Sequence, residues 1–175
     1  MPENLYIVDK YDNVLGSATR QEIHNSNMWH RGIHIFLFNT AGHILLQIRS
    51  SRKDKFPNTF DCSVSEHVMF GESYEQAAYR GMNEELGIEN IKLKPLLKFR
   101  MKYGPHDNMI STLFKGELDD NVKIKIESSE IQSIVFLSLD DVKIMLAKDE
   151  RKFAPWTREL LKWYLKLPSK VKKID

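Results

Sequence analysis

The stretch EHVMFGESYEQAAYRGMNEELGI, residues 66–88, decides the fold. Ser73 followed by Gln76 predicts a capped helix start, because each side chain can accept from the other residue's free backbone N–H. Apolar or small side chains then recur every four residues, which predicts one buried helix face. They are Tyr74, Ala78, Met82 and Leu86. Gly87 suits the left-handed conformation that ends a helix, so the sequence predicts a helix from 73 to 87.

Acidic side chains on this helix point to metal and phosphate chemistry. Positions i, i+3 and i+4 share a helix face, so 81, 84 and 85 are neighbours. We therefore expect Glu84 and Glu85 together on the exposed side, beside Gly81. Hydrolysis of a diphosphate usually needs Mg²⁺ or Mn²⁺ held by carboxylates, because the phosphate oxygens are anionic. The alternative is that the two glutamates form only a solvated face.

The same stretch resembles the Nudix box, written G-x5-E-x7-R-E-U-x-E-E-x-G-U with U apolar. The matching positions are Glu72, Arg80, Met82, Glu84, Glu85, Gly87 and Ile88. Glu66 stands where the first glycine belongs, and Gly81 stands where the first glutamate of the metal-binding cluster belongs. The resemblance implies an α+β Nudix fold, with a mixed β-sheet layered between helices.

The resemblance also implies a divalent-metal-dependent hydrolase. It places Glu72, Arg80, Glu84 and Glu85 among the catalytic residues, with Glu84 and Glu85 binding Mg²⁺ or alternatively Mn²⁺. Glu66 is a further candidate ligand. The missing glutamate at position 81 is expected to weaken activity, so Gly81→Glu is expected to raise it. A Nudix-fold binding protein that has lost catalysis is the alternative.

Segments outside the box resemble the family branch that contains type I isopentenyl-diphosphate isomerase and its hydrolase relatives. They are residues 9–16, His30, residues 49–58 and residues 153–156. The isomerases carry a catalytic cysteine where this chain has Ser65, and their catalytic glutamate best matches Met109. The pKa of serine lies far above the ~8.5 of cysteine, so an isomerase is the least favoured of the three hypotheses.

This resemblance implies a second possible metal site. His67 and His30 match metal-binding histidines of the isomerases, His24 lies near the position of another, and Asp107 stands where they keep a metal-binding carboxylate. A histidine taken alone is more often a core or surface residue. The three histidines together leave a metal site open as a hypothesis.

The expected substrate is a nucleoside diphosphate or a related diphosphate-linked small molecule. Arg49, Arg52 and Lys53, together with Lys55, are candidates for phosphate contacts, and an ordinary solvated loop is the alternative. The hydrolase relatives often take a general base from outside the box. Glu127 and Glu130 are candidates for that role, or else ordinary loop carboxylates.

Composition fits one soluble domain covering residues 1–175, since 42% of the residues are hydrophobic and 29% are charged. A net charge of +2 is too small to indicate a nucleic acid polymer or a membrane as partner. The single cysteine, Cys62, excludes an intramolecular disulfide and is expected to be a buried, inert thiol. Residues 1–4 lack a signal-peptide pattern, so we expect a cytoplasmic protein, either monomer or homodimer.

Hydrophobic patterns predict the remaining elements. Strands are expected at 5–8, 14–15, 30–38, 43–49, 60–69, 93–103, 109–118 and 131–137. Helices are expected at 19–26, 139–147 and 157–167. The predicted order is strands, one glutamate-rich helix, more strands and two terminal helices, which is an α+β arrangement.

Overall fold

The computed structural model describes residues 3–175, so Met1 and Pro2 of the N-terminal segment considered above lie outside the described residues. The strands are β1 (Asn4–Val8), β2 (Val14–Thr19), β3 (Trp29–Phe38), β4 (Ile44–Arg49), β5 (Phe60–Asp61), β6 (Val64–His67), β7 (Lys94–Gly104), β8 (Asp107–Glu117), β9 (Ile131–Leu137) and β10 (Lys172–Lys173). The helices are α1 (Arg20–Asn25), α2 (Tyr74–Leu86), α3 (Leu139–Asp149) and α4 (Pro155–Tyr164). Between residues 3 and 175, no helix combines the length and the apolar character needed to cross a membrane.

Strand β3 is the centre of one mixed sheet. It pairs in parallel with β8 along its whole length, from Trp29 opposite Asn108 to Phe38 opposite Glu117. Its other edge is shared by β1, β6 and β4 in succession, all antiparallel. β7 continues the sheet beyond β8, while β5 and β9 pair with β4. This sharing of one edge brings the end of β6 close to the start of β3.

Helices cover both faces of the sheet, which confirms the predicted α+β layering. Side chains of β3 alternate between the two faces, as the strand period requires. Ile33 and Ile35 pack with α2 in one core, whereas Phe36 packs with α3 and α4 in the other. His34 therefore faces the α4 side, and its neighbour in β6, Ser65, faces the same way.

The glutamate-rich helix forms as predicted. The Ser73 side chain accepts from the Gln76 N–H, and the Gln76 side chain accepts from the Ser73 N–H. Gly87 ends α2 with a φ of +62°, in the left-handed region that glycine adopts at little cost. Ala78 and Met82 are fully buried, which confirms the predicted core face.

Several predicted elements have different bounds: strand β2 continues to Thr19 instead of ending at residue 15, and two further differences have a clear structural cause. The single strand expected at 60–69 is broken, because the Cys62 N–H bonds Asp61 Oδ1 and Thr157 Oγ1 instead of a neighbouring strand. The last helix begins at Pro155, not at residue 157, since proline fits the first turn of a helix. Cys62 is buried and free, and burial raises the pKa of its thiol, so the prediction of an unreactive thiol is confirmed.

Candidate active site and metal centre

Glu84 and Glu85 do not lie together on the exposed side of α2, contrary to the expectation from sequence. Glu84 is exposed, but Glu85 is only 4% exposed and accepts a hydrogen bond from Gln47 Nε2 at 2.7 Å. Gly81 is also buried. Gly81 lies against Glu66 and Val64 of β6, Glu85 faces Gln47 of β4, and the loop before β9 also lies at this end of the helix, where the Glu127 N–H bonds the Glu85 carbonyl.

Burial changes the chemistry of Glu85. Desolvation is the main cause that raises the pKa of this carboxyl well above its ordinary value, and repulsion from Glu66 raises it further. A carboxylate in such a place is stabilised by a cation beside it. Without such a cation, burial favours the protonated form of Glu85.

The two departures from the box are complementary in space. A Cβ atom added to Gly81 would lie 2.8 Å from Cγ and 3.2 Å from Cβ of Glu66. Glu66 thus fills the space beside α2 that a side chain at position 81 would need. Burial raises the pKa of the Glu66 carboxyl, as it does for Glu85. An acidic side chain from β6 therefore lies where the family's signature has one from the helix.

Arg80 forms hydrogen bonds with the loop before α2, with α2 itself and with β6. Its Nε and Nη2 lie 2.7 and 3.0 Å from the two carboxylate oxygens of Glu72, and Nη1 lies 3.0 Å from Glu84 Oε2. Nη2 also donates to the His67 carbonyl at 2.9 Å. Partial burial opposes the ionisation of Glu72, but the hydrogen bonds from Arg80 and the Met69 N–H lower its pKa.

Three histidines from different elements form a compact cluster. His24 comes from α1, His30 from β3 and His67 from β6, and one ligand atom of each lies within 4.8 Å of the others. The ring centroids are 5.1 Å apart for His24 and His30 and 5.3 Å for His30 and His67. The β6–β3 pairing brings His67 beside His30, as the resemblance implied.

The orientation of these rings fits a divalent cation. His24 Nδ1 lies 3.1 Å from the His106 carbonyl oxygen and His30 Nδ1 lies 3.5 Å from the Met28 carbonyl oxygen. A proton on Nδ1 leaves Nε2 as the lone-pair atom, and metal-binding histidines usually donate their other nitrogen to a carbonyl or carboxylate. Within the described part of the chain, Nε2 of His24 and of His30 are buried without a hydrogen-bond partner. Burial, mainly, lowers the pKa of His30 well below its ordinary value, so this ring is neutral.

Two neighbours complete the surroundings of the cluster. His67 Nδ1 lies 3.7 Å from Glu3 Oε1, a carboxylate that the sequence did not point to. Asp107, expected as a ligand, has Oδ1 3.9 Å from His24 Nδ1 and Oδ2 3.2 Å from Lys55 Nζ. Asp107 therefore lies beside the cluster, on the Nδ1 side of His24.

A cavity of about 300 Å³ is lined by Glu66 and Glu84 and by His24 and His67, whereas Glu85 and His30 are not among the described residues that line it. Its wall includes four cationic side chains, which suit an anionic ligand. They are Arg20, Arg49, Lys55 and Arg80. Arg49 is already committed to protein partners, because Nη1 binds Asp61 Oδ2 at 2.7 Å and Nε and Nη2 both bind the Lys55 carbonyl.

Some predicted site residues lie elsewhere. Arg52 and Lys53 are not among the described residues that line the cavity, and Lys53 forms an ion pair with Glu130. Glu127 is exposed and accepts from Ser129. Phosphate binding by Arg52 and Lys53 stays a prediction. Base catalysis by Glu127 or Glu130 likewise stays a prediction.

Ser65 and Met109 both line the cavity, at the positions where the resemblance places the proton-transfer residues of isomerases. The Ser65 hydroxyl donates to Asp61 Oδ1 at 2.9 Å. The Met109 side chain lies over Gly32, where an added Cβ would be 2.0 Å from Met109 Cε. Neither side chain carries an acid or base suited to proton transfer near neutral pH.

Comparison with known proteins assigns the family. The NUDIX domain profile matches residues 28–163, and the chain belongs to this family. The chain is 29% identical over 165 residues to isopentenyl-diphosphate Delta-isomerase 2 of Photorhabdus laumondii, covering 92% of each chain. It is 29% identical over 154 residues to an uncharacterised Nudix hydrolase of Pseudomonas aeruginosa, covering 88% of this chain and 86% of that one. The crystal structure of DR0079 from Deinococcus radiodurans shares the fold, with a TM-score of 0.71, 24% identity, and coverage of 83% of this chain and 90% of that one. Divalent-metal dependence is general among these families.

Gln47 and His34 were missed by sequence reasoning. Gln47 is one of the few polar residues in β4, yet it is 3% exposed and holds Glu85. His34 is a histidine between isoleucines in β3, the central strand of the sheet. A polar side chain in a central strand was the available signal, because such positions are buried and need a partner.

Burial of His34 gives the stability a defined pH dependence. Desolvation lowers the pKa of His34 from 6.5 to about 4. Below pH 6.5, His34 becomes protonated in the unfolded chain but stays neutral in the folded protein until the pH approaches 4. The free energy of unfolding therefore falls as the pH falls. The full effect corresponds to about 3 kcal/mol, because each pKa unit is about 1.36 kcal/mol.

Urea denaturation of the metal-free protein from pH 7 to pH 4.5 should show a steeper fall in unfolding free energy for the wild type than for His34→Gln. His43→Gln, outside the cavity, should keep the wild-type slope; equal slopes for all three proteins would contradict the expectation.

Proposed function

We propose that the protein is a divalent-metal-dependent hydrolase of a nucleoside diphosphate or a related diphosphate-linked small molecule. The observation that carries this proposal is the pair Glu66 and Glu85. Glu66 is partly buried, lines the cavity and has Oε2 3.8 Å from Arg80 Nη1, and Glu85 is buried close enough to Glu66 for repulsion between the two carboxylates to raise its pKa. The pair retains the acidic character of the family's signature in spite of the glycine at position 81.

Each residue has a distinct task in this proposal. Glu85 and Glu66 hold Mg²⁺, or alternatively Mn²⁺, with Glu84 contributing from the exposed rim. The ion, when bound, neutralises diphosphate oxygens and lowers the pKa of a bound water. Arg80 fixes Glu72 and Glu84 through the 2.7 and 3.0 Å contacts. Lys55 and Arg20 face the cavity and would bind the substrate phosphates.

The histidine cluster is proposed as a second site for a divalent ion. Imidazole nitrogens suit Mn²⁺ less than they suit Zn²⁺ or Fe²⁺, so the ions held by the two sites are expected to differ. In this second site, His24 and His30 would bind the ion through Nε2, because Nδ1 of each ring faces a backbone carbonyl oxygen. His67 would supply the third nitrogen. The histidine cluster resembles the site of the isomerase relatives, whereas Ser65 and Met109 stand where those relatives carry proton-transfer residues.

Isomerisation is the alternative that the relatives raise, and the contacts of Ser65 disfavour it. Its proton is donated to Asp61, and its oxygen lies 3.0 Å from His34 Nδ1. The only proton of this hydroxyl and one of its two acceptor lone pairs are therefore used within the protein. Moving a proton between substrate carbons would require a freely ionising group at this place and another at Met109.

A substrate screen tests the proposed function. The purified protein is incubated with nucleoside diphosphates, nucleotide sugars and isopentenyl diphosphate, each with Mg²⁺ and with Mn²⁺. Phosphate release is measured for all substrates, and isomer formation is measured by NMR for the isoprenoid. We expect metal-dependent hydrolysis of at least one nucleotide. Tight binding of a diphosphate without turnover would instead indicate a binding protein, and isomer formation would indicate the third hypothesis.

A further inference from the structure

His34 is buried in the wall of the cavity, on the α4 side of β3. It is 2% exposed, and its ring stacks against Trp156 with centroids 6.5 Å apart and planes at 23°. Nδ1 lies 3.0 Å from Ser65 Oγ. Nε2 is buried and has no hydrogen-bond partner among residues 3–175. His34 thus lines the cavity together with Trp156 and Met109, and one nitrogen of its ring has no hydrogen-bond partner in the described chain.

The direction of the hydrogen bonds fixes the role of that nitrogen. Asp61 is buried and ionised, because Arg49 and the surrounding donors outweigh desolvation and lower its pKa. Ser65 Oγ lies 2.9 Å from Asp61 Oδ1, and this contact is attractive only with the serine proton between the two oxygens. The Ser65 oxygen must therefore accept from His34 Nδ1–H. A neutral imidazole protonated at Nδ1 can only accept at Nε2.

We propose that His34 Nε2 accepts a hydrogen bond from a hydroxyl or amino group on the organic part of the substrate. This inference rests on the proposed diphosphate hydrolase and narrows its substrate class. A nucleoside or sugar diphosphate carries such donors, whereas the hydrocarbon of an isoprenoid diphosphate carries none. A hydrocarbon beside His34 offers this buried acceptor no donor, and a buried acceptor left unpaired is costly, whereas a hydroxyl or amino group would satisfy it.

Two buried hydroxyl groups lie on the same side of the sheet as His34. Ser111 is paired with Gly32 across β8 and β3, so its side chain shares the sheet face of His34. The Tyr103 ring packs against Trp156 at a centroid distance of 5.6 Å. Burial raises the pKa of Tyr103, and a hydrogen bond with Ser111 acts against that rise, so these two hydroxyls lie close to each other. Neither residue is among the described residues that line the cavity, which leaves His34 as the polar group of interest here.

The wild-type protein tests the proton arrangement directly. Histidine side chains are labelled with ¹⁵N, and long-range ¹H–¹⁵N spectra of the Mg²⁺-loaded protein are assigned with His34→Gln. We expect a neutral ring protonated at Nδ1, and an Nε2 signal that moves upfield when α,β-methylene-ADP binds but not when inorganic diphosphate binds. A ring protonated at Nε2, or an Nε2 signal that ignores the nucleotide, would overturn the proposal.

Affinities give the second test. Calorimetry with Mg²⁺ compares α,β-methylene-ADP, isopentenyl diphosphate and inorganic diphosphate. We expect the wild type to prefer the nucleotide to the isoprenoid at least 10-fold, and His34→Leu to reduce that preference about 10-fold. His34→Gln retains an acceptor and should keep most of it. Inorganic diphosphate should bind all three proteins equally.

The outcomes separate this inference from the function on which it rests. If inorganic diphosphate and the nucleotide both fail to bind the wild type, the proposed function fails and this inference fails with it. If diphosphates bind but the isoprenoid binds the wild type as tightly as the nucleotide, only the role of His34 is wrong. An unchanged preference in a folded His34→Leu protein has the same meaning.

Discussion

Gly81→Glu alone is expected to lower both stability and activity, whereas Glu66→Gly combined with Gly81→Glu should recover both. A side chain at position 81 would meet Glu66 Cγ at 2.8 Å and Val64 Cγ1 at 3.2 Å. These are not the free ends of flexible side chains, so the cost of overpacking is about 1–3 kcal/mol. This expected result is the opposite of the expectation from sequence that Gly81→Glu would raise hydrolysis.

The double variant moves the carboxylate from β6 to α2 and vacates the space that it needs. We expect its melting temperature to return to within a few degrees of the wild type, since about 1 kcal/mol corresponds to roughly 2–4 °C in a chain of this size. Hydrolysis should reach at least the wild-type rate if Glu66 serves as the substitute ligand. Glu66→Gly alone should be folded but nearly inactive. Equal activity of Glu66→Gly and the wild type would contradict the role given to Glu66.

The local parts of this site could be predicted from the sequence. The start, end and core face of α2 depend on residues within one or two helical turns, such as Ser73 and Gly87, so the pattern sufficed. The proximity of Arg80 and Glu84 is likewise a matter of helical spacing. The three histidines were found by resemblance, and the β3–β6 register then brings two of them together.

The remaining features depend on contacts between distant segments. Burial of Glu85 requires Gln47 from β4 and the loop around Glu127, which are 38 and 42 residues away along the chain. The fit between Glu66 and Gly81 requires β6 to pack against α2, which no spacing rule specifies. The same limit applies to His34, whose proton position follows from Ser65 and Asp61 in another strand.

Glu85→Gln is expected to abolish hydrolysis and at the same time to stabilise the metal-free protein. The pKa of Glu85 is raised mainly by desolvation. Above the ordinary carboxyl pKa of 4.5, the group ionises freely in the unfolded chain, whereas its ionisation costs free energy in the folded protein. Stability of the metal-free wild type should therefore fall as the pH rises from 4.5 through the raised folded pKa. Glutamine keeps an oxygen to accept from Gln47 and removes the charge.

Four proteins make this test decisive, namely wild type, Glu85→Gln, Glu84→Gln and Glu75→Gln. At pH 7.5 in EDTA, Glu85→Gln should melt a few degrees above the wild type, roughly 2–4 °C for each kcal/mol gained. Mg²⁺ should raise the melting temperature of the wild type but not that of Glu85→Gln, because bound ligand stabilises only the protein that binds it.

Glu84→Gln should lose part of the activity without gaining stability, since Glu84 is exposed. Glu75, exposed in the first turn of the same helix, is the control for charge removal and should change neither property strongly. A Glu85→Gln protein that is less stable than the wild type in EDTA would show that the Gln47 contact outweighs desolvation, and one that retains hydrolysis would remove Glu85 from the metal site.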